Sequence, residues 1–169
     1  LLTTGLMEAG YDVKMSEIHG MSQRGGTVLS QVRYGDDVQS PVIERGTADI
    51  IVAFEEMEAM RYLDYLKKGG IVIVNDTKIW PLPVVIGKTP YPAGILEALK
   101  DKVRVNVINA TDMAEELGNP KVMNVILLGA VVKSMKLDDI DWPGIIAANV
   151  KPKFVDINIE AFERGGALV

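Results

Sequence analysis

Two apolar runs, Ala48-Asp-Ile-Ile-Val-Ala-Phe54 and Gly69-Gly-Ile-Val-Ile-Val-Asn75, decide the fold class. Each is rich in β-branched residues and lacks the polar–apolar alternation of a strand with one wet face, so each reads as a strand buried on both faces. Between them, Glu55 to Lys67 places Met57, Met60, Tyr62, Leu63 and Leu66 on one side, which predicts an amphipathic helix ended by Gly69-Gly70. A strand–helix–strand unit of this kind implies a parallel sheet with right-handed crossovers.

Downstream, the four prolines between Trp80 and Pro92 predict an extended excursion. Ala93 to Lys100 reads as a short helix, Val103 to Ile108 as a strand, and Thr111 to Leu117 as a helix with Thr111 as its cap. Pro120 suits the first turn of a long apolar helix over Lys121 to Met135. Trp142 to Ala148 and Val155 to Arg164 complete the chain as helices. Upstream, Leu1 to Ala9 reads as the end of a helix stopped by Gly10, and Tyr11 to Ile18 as a strand. Thr27 to Tyr34 alternates as a second strand, and Val38 to Ile43 can return beside it after a turn at Gly35-Asp-Asp37. The expectation is one domain over residues 1–169: a three-layer α/β/α arrangement with a mostly parallel sheet plus an antiparallel hairpin or edge.

Composition bounds the chemistry. With 48% hydrophobic and 24% charged residues, this is the profile of an ordinary globular protein. The longest apolar stretch, Val122 to Val132, is too short for a membrane span. Cysteine is absent and His19 is the single histidine, which excludes a thiolate or multi-histidine metal site and an iron–sulfur cluster on this chain. A net charge of −5 argues against a general nucleic-acid binder. No charged-then-apolar leader is read at the start, and the expected compartment is the cytoplasm.

The unusual chemistry concentrates in Glu17-Ile-His-Gly-Met-Ser-Gln-Arg-Gly-Gly26. Gly20, Gly25 and Gly26 allow close approach to the main chain. Arg24 supplies a planar, permanently charged fork suited to phosphate or carboxylate. Ser22 and Gln23 add neutral donors, Met21 could line a site or an interface, and His19 brings an imidazole, the side chain whose ordinary pKa lies near neutrality. By residue chemistry alone, two readings stand. The run is a cradle for an anionic or carbonyl-bearing group, or a tight loop whose Arg pairs with a surface carboxylate. A lone histidine without a serine or cysteine partner is more often structural than a general base. Glu55 and Asn75 end the two buried strands, where ligands of open α/β sheets bind, and each reads equally as a helix-start acid or a turn residue. Neither a Gly-x4-Gly-Lys-Ser/Thr loop nor a Gly-x-Gly-x-x-Gly turn is present.

The run Glu17 to Val28 resembles the gamma-type subunit or domain of the 2-oxoacid:ferredoxin oxidoreductases, a group acting on pyruvate, ketoisovalerate or indolepyruvate. The wording is nearest the small (beta) subunit of the indolepyruvate type. The likeness continues through Tyr11-Asp-Val-Lys14, Ser30-Gln-Val-Arg33, Ser40-Pro-Val-Ile43, Ala59 to Leu66, Gly118 to Val125, Leu128-Gly129 and Asn158 to Phe162. Complete chains of this type open with a strand and a Gly-Gly-Gln-Gly turn before the first helix. This sequence departs from that pattern, so residues upstream of Leu1 are expected.

The resemblance implies oxidative decarboxylation of an aryl 2-oxoacid to an acyl-CoA and carbon dioxide, with reduction of ferredoxin. It implies that a large partner subunit carries thiamine diphosphate, magnesium and 4Fe-4S clusters, and that this chain is inactive alone. His19 and Arg24 would act at the site. Gly20, Met21, Ser22, Gln23, Gly25, Gly26, Glu55 and Asn75 would meet substrate, coenzyme A or the partner. Apolar surface meant for a partner makes a homodimer an expectation for the isolated chain. Two other classes of function remain open at this point: a free-standing coenzyme A or nucleotide-binding module, and a purely structural assembly subunit.

Overall fold

The computed structural model describes residues 1–20 and 28–169. Three strands form a parallel sheet in the order β3 (Ala48–Ala53), β4 (Leu66–Asn75), β5 (Arg104–Ile108). β4 is central, and alternation along it sorts its side chains between two cores. Ile71 and Ile73 face one side, against α5 (Ala110–Glu116), α6 (Met123–Met135) and α8 (Val155–Gly166). Val72 and Val74 face the other, against α2 (Glu56–Arg61) and α4 (Ile95–Lys100). Val72, Ile73 and Val74 have no solvent exposure, as expected of a strand covered on both faces. The fold is therefore α/β, with helices on both sides of a parallel sheet.

The antiparallel pair is a separate two-stranded sheet rather than an added edge of the parallel one. β1 (Asp12–His19) pairs with β2 (Val28–Gly35) in a register that sets Asp12 opposite Gly35 and His19 opposite Val28. Val13, Val32 and Tyr34 bury part of the pair in a third cluster with Leu6 of α1 (Leu2–Glu8), Val132 of α6, and Trp142 and Ile145 of α7 (Trp142–Asn149).

Four expectations need correction. Val38 to Ile43 is not a strand. Pro41 lacks a ladder donor, and side chains satisfy this segment instead: Val38 N–H donates to Asp12 Oδ2 (2.9 Å), Ile43 N–H to Gln31 Oε1 (3.0 Å), and Arg33 Nη1 to the Ser40 carbonyl (3.0 Å). The helix expected to reach Lys67 ends at Arg61, because β4 begins at Leu66 to pair with Ala48. Gly69-Gly70 consequently lies inside β4, at a register shift between Ala48 and Ile50. A Cβ on Gly70 would stand 2.9 Å from the Asp49 carbonyl oxygen, so the shift brings the strands too close for any side chain there. Asn109, not Thr111, caps α5 by accepting from Asp112 N–H. Finally, the proline-rich excursion contains a short helix, α3 (Leu82–Val85), begun by Pro81.

α6 and α8 pack with their backbones in contact. A Cβ on Gly129 would lie 2.0 Å from the Phe162 carbonyl oxygen, and one on Gly165 would lie 1.8 Å from that of Ile126. Neither position can carry a side chain without separating the helices. No helix among the described residues is long and apolar enough to cross a membrane.

Candidate functional site

Asn75 ends the central strand and has no solvent exposure. Its Nδ2 donates to the Phe54 carbonyl (3.2 Å) and to Thr111 Oγ1 (2.9 Å), while its Oδ1 accepts from Ala110 N–H (3.0 Å) and Thr111 N–H (3.3 Å). One side chain thus ties the end of β3, the end of β4 and the first turn of α5. A buried amide with every donor and acceptor engaged stabilises a single arrangement of those ends.

Glu55 occupies the corresponding place after β3 and is 4% exposed. It caps α2 rather than lying in its first turn: Oε1 accepts from Glu58 N–H (2.6 Å), and Oε2 accepts from the Tyr91 hydroxyl (3.1 Å). Burial, reinforced by the Glu55 charge, pushes the Tyr91 hydroxyl above the ordinary phenol range. Next to it, Glu56 is buried with Lys78 Nζ at 3.9 Å, and burial raises its carboxyl pKa while Lys78 opposes the shift. Glu55 and Asn75 share the carboxyl end of the sheet, and both are engaged within the fold.

His19 lies at the end of β1, with its side chain 64% exposed and Nε2 3.6 Å from Glu17 Oε2. Gly20 follows it. The hairpin end carries other exposed apolar side chains, Met15, Ile18 and Val28. Met21, Ser22, Gln23, Arg24, Gly25 and Gly26 lie outside the described residues. Among the described residues, no group of three or more His, Asp or Glu side chains could hold a metal ion. An open groove of about 1600 Å³ runs between β2 and β3, floored by Leu127, Leu128 and Val131 of α6 and bordered by Phe54, Glu55 and Trp80. It contains Glu55 but neither Asn75 nor His19.

Sequence reasoning missed Tyr91 and Thr111 as partners of Glu55 and Asn75. Each pair is 36 residues apart, and neither pairing leaves a local pattern. It also missed Phe54, which is 47% exposed at the groove edge although it closes an apolar run.

A layered α/β chain with a separate antiparallel strand pair defines a class but not an activity, and comparison with known proteins narrows it. Residues 1–168 match the family described as pyruvate ferredoxin/flavodoxin oxidoreductase, and the chain belongs to that family. It is 40% identical to the indolepyruvate oxidoreductase subunit IorB of Pyrococcus horikoshii, covering 98% of this chain and 85% of that one. A more distant relative, the ketoisovalerate oxidoreductase subunit VorA of Methanothermobacter marburgensis, is 27% identical, and the match covers 28% of its length. Among solved structures, the pyruvate oxidoreductase subunit PORC of Thermotoga maritima has the same fold, with a TM-score of 0.69 at 23% identity over 99% of this chain and 85% of that one. Over nearly its whole length the chain is thus similar to IorB-type oxidoreductase subunits.

Proposed function

We propose that this chain is the small subunit of an indolepyruvate-type 2-oxoacid:ferredoxin oxidoreductase, working against the thiamine site of a larger partner subunit. The observation that carries this reading is the 40% identity to an indolepyruvate oxidoreductase subunit over nearly the whole chain. Coverage of only 28% of the ketoisovalerate relative supports a domain that acts beside other domains. With no cysteine, the chain offers no thiolate to an iron–sulfur cluster, so the clusters belong on the partner. Thiamine diphosphate, with its magnesium, supplies the decarboxylation chemistry there, and the clusters pass electrons to ferredoxin.

In this reading the hairpin end is the working edge. His19 stands exposed at the end of β1, with the cationic, glycine-rich residues Met21 to Gly26 following Gly20. Arg24 would pair with the 2-oxoacid carboxylate or a coenzyme A phosphate, Ser22 and Gln23 would donate neutral hydrogen bonds, and His19 would form a polar wall or proton partner. Glu55 and Asn75 would shape the carboxyl end of the parallel sheet through the contacts described above. A cytoplasmic location accords with the lack of cysteine and the ferredoxin chemistry.

The test is turnover of the complex assembled with Arg24→Ala or Arg24→Lys. Arg24→Ala should lower kcat/KM for oxoacid or coenzyme A by at least about tenfold, with assembly intact, since a charge-assisted pair contributes about 1.5–3 kcal/mol. Unchanged turnover with weakened assembly would favour the purely structural subunit instead. Tight coenzyme A binding by the lone chain would favour the free-standing module.

A further inference from the structure

Shortly after β4, the chain carries a run of highly exposed apolar side chains. Ile79, Trp80, Leu82, Val85 and Ile86 are 62, 59, 70, 62 and 53% exposed. This surface is held in a defined shape. Pro81 starts α3, Val84 and Val85 N–H donate to the Pro81 carbonyl, Ile86 N–H to that of Leu82, and Lys88 N–H to that of Pro83. Apolar groups on a locally braced turn need little further ordering when they are covered.

The size of the surface argues for a partner. At about 100 Å² per half-exposed large side chain, these five and Phe54 present roughly 600 Å². That is at the upper end of what soluble monomers leave open and close to the ~800 Å² each side contributes to a standard interface.

Charge selects the kind of partner. From Thr77 to Leu96 the only charged side chains are Lys78 and Lys88, in a protein whose net charge is −5. Lys78 stays 53% exposed beside Glu56. A two-fold contact with a second copy would set this patch against itself and bring both pairs of lysines together, with Glu56 beside Lys78 but no carboxylate inside the segment to offset Lys88. A different chain can offer an apolar face rimmed by acidic side chains.

We propose that the Ile79–Ile86 excursion is the docking element by which this subunit seats on an apolar, carboxylate-rimmed face of its larger partner subunit. The identity of that partner rests on the proposed function; the docking role rests on the exposed, braced and cationic-rimmed surface.

The experiment measures binding of the purified chain to the large subunit of the same oxidoreductase, anaerobically, by light scattering and by quenching of tryptophan emission. Trp80 is the exposed tryptophan and Trp142 is 2% exposed, so quencher access reports on the excursion. The expected result is ready quenching in the isolated chain, loss of quenching in the complex, and at least tenfold weaker binding for Leu82→Asp and for Trp80→Ala. Both variants should keep the wild-type melting temperature, because these side chains are already in water. Lys88→Glu should weaken binding several-fold, and more at low salt than at high salt.

Wild-type assembly with unchanged affinity in both apolar variants would overturn the docking role and leave the proposed function standing. So would a wild-type dimer that Leu82→Asp dissolves, or a Trp80 shielded in the isolated monomer. Failure of wild-type chain to bind the large subunit would instead overturn the proposed function, and the partner named here with it.

Discussion

Asn75 shows how much one buried side chain can hold. It makes four hydrogen bonds with no water access, and removing it strands the Ala110 and Thr111 amides while the Phe54 carbonyl loses its donor. Asn75→Ala should therefore destabilise the fold by about 3 kcal/mol, read as a lower urea midpoint at an unchanged slope. Unchanged stability would mean these groups find other partners. Glu56 gives a pH signature of known sign. Its folded pKa is raised by burial, so folding favours the protonated form. Stability is greatest below the unfolded value near 4.5 and falls as pH rises through the raised folded value. Glu56→Gln removes that loss, and its urea midpoint should decline less than wild type across this window just above pH 4.5. An equal decline in both proteins would assign the effect to other carboxylates. Asn75 could be seen in the sequence as a strand end, whereas Glu56 was not singled out. Their hydrogen-bond and charge partners, Thr111 and Lys78 among them, are brought in by tertiary contacts that no local pattern encodes.

At the scale of elements, legibility followed burial. The second half of β4 (residues 71–75) and most of α6 were readable because each carries a largely apolar, largely buried run. The β1–β2 pairing was not, since alternation in Thr27 to Tyr34 fits a partner on either side along the chain. What decides it is burial of Val13, Val32 and Tyr34 against Leu6 and Trp142, a contact between distant segments. The glycine contact between α6 and α8 was equally hidden, because glycine in a sequence does not disclose whether a turn or a close approach requires it. Gly129→Ala should cost about 3 kcal/mol or more, since the new methyl meets a carbonyl oxygen on a rigid helix. Calorimetry should show this as a large drop in Tm. A small drop would mean that the two helices separate easily.

At the scale of the whole molecule, the described residues pack around three apolar clusters but hold their candidate chemistry in separate places. Asn75 and Glu55 are engaged inside the fold, His19 is exposed on the hairpin, and five exposed apolar side chains lie on the excursion after β4. Such an arrangement is compatible with the proposed role beside a larger subunit, and without cysteine this chain has no thiolate to offer an iron–sulfur cluster. The most direct measurement is indolepyruvate- and coenzyme A-dependent reduction of ferredoxin under anaerobic conditions, with the chain alone, the large subunit alone and the two combined. Turnover should require both subunits and fall at least tenfold when the chain carries Arg24→Ala. Full turnover by the large subunit without this chain would contradict the proposed function.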